Sequence, residues 1–264
     1  MTEVKDHPVL FSGPMVNAIL AGRKTQTRRI IKFAEQPKGH PYIPACIYPD
    51  GRGNWVGWDA DEPGLAEFTK TAYRSGEGFK CPYGAPGDRL WVRETWQYYD
   101  WTEDGQPFIR YAADNAERLC RDLPEEGTVD VWEKLSRPEN FSIDGRARDR
   151  RWRPSIFMPR WASRITLEIC SVRVERLNNI SEEDAIAEGI KRWLPKMDTQ
   201  KEYDDKGFLR ALFGFGDFPE GRNRATARTA RDAYQHLWET IHGPGSWDLD
   251  PWIWVIEFRR IDQP

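Results

Sequence analysis

The residues best placed to do chemistry lie in a cationic run, Gly22-Arg23-Lys24-Thr25-Gln26-Thr27-Arg28-Arg29. A lysine is a base only when neutral, and nearby positive charge or loss of water pushes its pKa down. Arg23, Arg28 and Arg29 can supply that charge to Lys24. The hydroxyl of Thr27 could then give its proton to the amine and act as a nucleophile. The simpler alternative is that these cations follow a helix C-terminus, where they meet the negative end of its dipole and sit in water.

A second candidate is Glu188, at the end of the acidic stretch from Ser181 to Gly189. A carboxylate in the last turn of a helix faces the negative end of the dipole, at a cost of a few tenths to about 1 kcal/mol. A position held against its local rule points to function, here proton transfer. The alternative is a helix that is acidic throughout, since Glu182, Glu183 and Asp184 precede it. The third candidate is the run from Trp91 to Trp96, which contains Arg93 and Glu94. Strand alternation sends these two to opposite faces, so at most one lines a pocket; an exposed ion pair is the competing reading. Arg28, Arg29, Arg89, Arg93, Glu94 and Arg164 flank these motifs and are the expected substrate-binding residues. Read as exposed polar positions, Lys24→Ala and Glu188→Gln would each cost stability only within about 0.5 kcal/mol.

The elements that must position these residues are legible in part. Val9 to Phe11 reads as a short strand, and a helix over 14–21 follows, with Pro14 at its first position and Gly22 at its end. Strands are expected over 86–96, from Ser163 to Val174 or just beyond, and from Trp252 to Ile261, each by apolar alternation. Ser181 caps a short helix that Gly189 stops, and a longer helix is expected from Thr226 to Ile241. A further short helix is expected around Asp114 to Cys120. Residues 33–85, 97–153 and 191–224, rich in polar residues, glycine and tryptophan, read as insertions into one domain spanning 1–264. Strands spread along the chain with helices between them imply an α+β protein, a small barrel or curled sheet with helices packed outside.

Composition narrows the function. No run approaches the roughly 18 apolar residues of a membrane span, so a cytoplasmic protein without a membrane partner is expected. Cys46, Cys81, Cys120 and Cys170 show no paired spacing, and neither do the four histidines; Cys46, Cys81 and His40 could converge in space on a metal. No metal or other cofactor is expected. Net charge is −3, which does not favour extended duplex binding, but Arg146 to Arg153 and Arg222 to Arg231 form further basic clusters able to hold phosphates. Thirteen tryptophans are mostly core material, with a few free to stack on a base. Phosphate-loop, nucleophile-elbow, zinc-protease and zinc-deaminase signatures are absent from the sequence.

Four blocks, in order, resemble the ASCH family of the PUA-like superfamily: Ile19 to Arg29, Pro86 to Leu90, Ile180 to Ile190, and Trp254 to Phe258. Cys81-Pro-Tyr-Gly ahead of Pro86, with the many tryptophans, is similar to members encoded by phages and prophages. The resemblance implies a small PUA-like β-barrel. Small bacterial members include an amidohydrolase acting on N(4)-acetylcytidine through a lysine, a threonine and a glutamate. The matching positions are Lys24, Thr27 and Glu188. Thr27 would attack the amide carbonyl, Lys24 would activate it, and Glu188 would assist proton transfer or hold the substrate. Other members are thought to bind or cleave RNA, so a nucleic-acid-binding module without catalysis is the alternative, with a nucleoside or nucleic acid as partner in either case. The chain is far larger than the minimal enzyme, and its insertions can reshape or cover the pocket.

Overall fold

In the computed structural model the described residues are 3–32, 46–49, 54–58, 80–101, 107–119, 151–193, 212–214 and 227–261. They form a mixed α+β structure with few helices. The main sheet has five strands: β1 (Asp6–Leu10), β2 (Gln26–Ile30), β5 (Arg89–Arg93), β9 (Thr166–Arg176) and β12 (Trp252–Ile261). Their order is β1-β5-β9-β12-β2, with β1 parallel to β5 and the other pairs antiparallel. The three strands expected by alternation, β5, β9 and β12, therefore share one sheet, but the expected stretch 86–96 is shortened: β5 ends at Arg93, and Trp96 starts a strand of a separate sheet. Among the described residues, strand pairing does not close it into a barrel. Instead Arg29, on edge strand β2, donates from Nη2 to the Leu10 carbonyl of the opposite edge strand β1 at 2.7 Å.

Alternation sorts the side chains onto two faces. One apolar cluster runs from edge to edge: Val9 and Phe11 near β1, Leu90 and Val92, Leu167 and Ile169, Trp254 and Ile256, and Ile31 past β2. Helix α1 (Gly13–Leu20) covers this face with Val16 and Ile19. The opposite face packs Ile253 and Val255 against helix α3 (Ala230–His242) through Ala233, Tyr234 and Trp238. The two helices thus lie on opposite faces of the sheet rather than together on the outside of a barrel. Burial of such side chains contributes about 1.5–3 kcal/mol each.

The insertions carry strands of their own. β3 (Cys46–Pro49) and β4 (Trp55–Trp58) form a hairpin, and Trp55 packs edge-on to Trp254 of the main sheet at 6.0 Å. β6 (Trp96–Trp101), β7 (Pro107–Tyr111) and β8 (Glu117–Leu119) form a meander with a separate core around Trp96, Ile109, Tyr111 and Met158. Over the described residues 114–119 the helix expected around Asp114 to Cys120 is not there: Asp114 ends a turn, Asn115 takes φ 58°, and residues 117–119 pair with β7. Ala113, Ala116 and Leu119 do fall at helical spacing, but the stretch is short and pairing with β7 takes it instead. β10 (Lys191–Trp193) and β11 (Leu212–Gly214) form the third hairpin. Among the described residues, no helix is long and apolar enough to cross a membrane.

Candidate functional site

The position of Lys24 follows from how α1 ends. Gly22 adopts φ +70°, a left-handed conformation open to glycine at little cost, and Arg23 and Lys24 turn back to donate to the Ala18 carbonyl at 2.9 and 3.1 Å. This reversal aims Lys24 into the protein instead of water. Helix α2 (Glu182–Ala187) delivers Glu188 from the other side. Ser181 caps it by accepting from the Asp184 amide at 3.1 Å, and Gly189, at φ 102°, stops it. The two segments meet as an isolated antiparallel bridge between Lys24 and Glu188, with the Thr25 amide on the Ala187 carbonyl at 2.9 Å.

Across this bridge Lys24 Nζ donates to Glu188 Oε2 at 2.6 Å and to the Glu188 carbonyl at 2.9 Å, spanning 164 residues of sequence. Lys24 is 2% exposed and Glu188 3%. Desolvation pulls the Lys24 ammonium below its ordinary range; the carboxylate of Glu188 opposes this, and the charges of Arg29 and Arg28 add to it. The ammonium also lies 5.5 Å from the centre of the Phe11 ring, an apolar wall with weak cation–π attraction. The pair is therefore neither a solvated cation nor a helix-end carboxylate in water. The expectation of near-neutral substitutions is corrected accordingly, because removing one partner leaves the other buried and uncompensated.

Alternation along β2 decides the rest. Gln26 and Arg28 point to the α3 face, where Arg28 stacks 5.9 Å from the Tyr234 ring. Arg28 donates from Nη1 to Glu188 Oε1 at 3.2 Å and to Gln26 Oε1, and from Nη2 to Asp184 Oδ2 at 2.9 Å. Asp184 also accepts from Gln26 Nε2 at 2.8 Å and from Arg173 at 3.1 and 3.2 Å. Desolvation works against the Asp184 charge, but the Gln26 bond and the charges of Arg28 and Arg173 hold its carboxyl below the usual range. Thr27 and Arg29 point to the α1 face, opposite Ile256 and Trp254. Thr27 is 3% exposed, and its hydroxyl makes no hydrogen bond to Lys24 or Glu188 among the described residues. Arg29 lies 5.3 Å from the Phe11 ring, so Phe11 is flanked by Lys24 and Arg29 together.

The remaining expected binding residues divide. Glu94, 1% exposed, and Arg164 form a two-pronged pair at 2.8 and 2.9 Å. Arg164 holds Asp114 in the same way at 2.9 and 3.0 Å and stacks 4.0 Å from the Tyr111 ring. Burial pushes the Glu94 carboxyl up, and the Arg164 guanidinium pulls it back. This second cluster ties the meander to β5 and the start of β9. It adjoins the first through the backbone, since the Phe11 amide donates to the Arg93 carbonyl at 3.2 Å. Arg93 itself donates to the Met158 carbonyl at 3.1 Å and lies over Trp91, while Arg89 is exposed. Neither is drawn into the Lys24–Glu188 contact.

Gln26, Asp184, Arg173 and Phe11 belong to this site and were not among the expected residues. Two signals in the sequence could have found the first two: Asp184 lies four residues before Glu188 on one helix face, and Gln26 shares strand parity with Arg28. His40 and the basic positions Arg146, Arg148, Arg150, Arg222 and Arg224 lie outside the described residues. Among the described residues, no group of three or more His, Cys, Asp or Glu could hold a metal ion. No protein-family description matches the chain, and no curated protein or solved structure is similar to it.

Proposed function

We propose that the chain is an ASCH-type, PUA-like hydrolase acting on a modified nucleoside or base, with the amide of N(4)-acetylcytidine as the best fit to its residues. The observation that carries this reading is the Lys24–Glu188 pair, buried on both sides and held at 2.6 Å. A lysine whose pKa is lowered by burial gives up its proton more readily than one in water and so can serve as a base, with a carboxylate in contact to relay the proton. The reaction we infer needs an Nζ proton of Lys24 to pass to Glu188 Oε2 across this 2.6 Å contact, leaving a neutral amine as the base.

In the reaction we infer, neutral Lys24 takes the Thr27 proton as Oγ1 attacks the acyl carbon. The tetrahedral intermediate collapses with cleavage of the C–N bond, and the proton of Glu188 goes to the departing exocyclic nitrogen. Water then cleaves the acyl-threonine ester, releasing the carboxylic acid and restoring the hydroxyl. Thr27 sits on the same sheet face as Phe11, whose ring Lys24 Nζ approaches at 5.5 Å, which supports this division of roles. Incubation of the protein with N(4)-acetylcytidine, followed by chromatography for cytidine, tests the reading. Lys24→Ala and Thr27→Ala should abolish turnover, and Thr27→Ser should keep part of it. Full activity in Thr27→Ala would move the attack to water. No turnover of any acylated nucleoside by the unaltered protein would overturn the hydrolase.

One observation favours a nucleic-acid-binding module instead. Trp152 and Phe157 are exposed at 44% and 71%, within a stretch that also holds Arg151, Arg153 and Arg160. Exposed aromatics interleaved with arginines suit base stacking and phosphate contact. Steeply salt-dependent oligonucleotide binding, lost on replacing both aromatics, would favour that reading.

A further inference from the structure

We propose that Asp184 is a positioning residue for the Lys24–Glu188 pair, holding the Arg28 guanidinium so that Arg28 shares Glu188 with Lys24 instead of drawing it away. The kinetic part of this proposal rests on the hydrolase reading; the geometric part does not.

Asp184 and Glu188 stand one helical turn apart on α2, and the one Arg28 side chain spans both, Nη2 on Asp184 and Nη1 on Glu188. The Arg28 side chain is fully buried. Its charge must therefore be met inside the protein, and the two carboxylates divide it. Both oxygens of Asp184 are filled: Oδ1 accepts from Gln26 and Arg173, Oδ2 from Arg28 and Arg173. The result is a line of alternating charge running inward from the half-exposed sheet surface: Arg173, Asp184, Arg28, Glu188, Lys24. The other charged or titratable groups around it are Glu175, 3.7 Å from Arg28, Glu257 on Arg173, Arg29 beside Phe11, and Tyr234 under Arg28.

α2 has anchors besides Asp184's carboxylate. The helix is capped by Ser181, tied to β2 by the Thr25 amide, and tied to α3 by the Glu182 carboxylate, which accepts from the Ala230 and Arg231 amides at 2.7 and 3.2 Å. What Asp184 adds is direction. Without its charge, Arg28 has Glu188 as its nearest remaining carboxylate, and Lys24 loses part of its counter-charge. Without Arg173, Asp184 gives more of itself to Arg28, and Glu188 is freer to hold Lys24. The two removals must act on Lys24 with opposite sign, which general damage to the fold would not produce.

The test follows the Lys24 side chain directly by NMR titration of Cε/Nζ-labelled lysine, the signal being assigned by its loss in Lys24→Arg. Asp184→Asn keeps the shape and is expected to lower the Lys24 midpoint by roughly one pH unit. Arg173→Gln should raise it, and Asp184→Glu should restore most of it. The pH dependence of N(4)-acetylcytidine hydrolysis should move in step. A folded Asp184→Asn protein with an unmoved Lys24 midpoint overturns the proposal. If Asp184→Asn does not fold, Arg173→Gln decides alone: an upward shift supports the proposal, and no shift or a downward one overturns it. A midpoint that moves as expected in a protein without turnover supports the positioning role and sinks the hydrolase reading.

Discussion

Replacing either member of the Lys24–Glu188 pair should destabilise the chain far more than a surface substitution would. Glu188→Gln leaves a lysine that is 2% exposed with Arg28 and Arg29 nearby and no counter-charge in contact. Breaking a buried pair on one side costs about 3–5 kcal/mol. Lys24 can limit the loss by shedding its proton, since its pKa is already lowered and would fall further. The sign then fixes the pH dependence. A lysine whose folded pKa lies below its unfolded one is destabilising below the folded value, and the penalty fades as pH rises towards the unfolded value of about 10.4. Within that window the stability of Glu188→Gln should climb by up to about 1.4 kcal/mol per pH unit, more steeply than in the unaltered protein. Urea titrations at several pH values measure this. At neutral pH a loss of about 3 kcal/mol would appear as a fall in Tm of roughly 6–12 °C. The double variant Lys24→Met/Glu188→Leu should recover part of the loss, because an apolar pair removes both buried charges while Arg28 keeps only Asp184. Single losses within about 0.5 kcal/mol that simply add would refute the reasoning and return both side chains to solvent.

Further outcomes are expected. Glu94→Gln should cost about 3–5 kcal/mol by stripping Arg164 of a buried two-pronged partner, with the earliest loss of amide-exchange protection in the meander over 107–119. Arg29→Ala should weaken binding of a nucleoside phosphate more than Arg89→Ala, since Arg29 lies beside Phe11 and Lys24 whereas Arg89 is exposed and apart; titration calorimetry with a cytidine nucleotide checks the order. Gly22→Ala should destabilise by about 1 kcal/mol or more through its φ of +70° although open space surrounds it, and thermal unfolding measures this.

Local pattern carried the strands and most helix ends. β5, β9 and β12 alternate so strongly that little else fits, and Pro14, Gly22, Ser181 and Gly189 punctuate α1 and α2 as expected. α3 begins at Ala230, where the apolar spacing starts, and not at the expected Thr226, because Thr229 supplies its cap, accepting from the Asp232 amide at 3.0 Å. The stretch over 114–120 had no local signature strong enough to oppose pairing with β7. At the site, Lys24 stood out by its cationic neighbours and Glu188 by breaking a local rule, but their burial could not be read locally. It depends on α2 and β2 arriving together from positions 164 residues apart. The Glu94–Arg164–Asp114 cluster was opaque for the same reason, as its partners are separated by 70 and 50 residues.

The contact from Arg29 to the Leu10 carbonyl also bears on how the chain behaves among copies of itself. Among the described residues β1 and β2 are the unpaired edges of the five-stranded sheet, and unpaired edges invite another chain to add a strand. On β1, Pro8 offers no amide donor, and the Leu10 carbonyl is occupied by a guanidinium from the opposite edge. One side chain and one proline thus guard what would otherwise be a template for intermolecular pairing. Arg29 thereby occupies an acceptor that an added strand would otherwise use, whatever it contributes to binding.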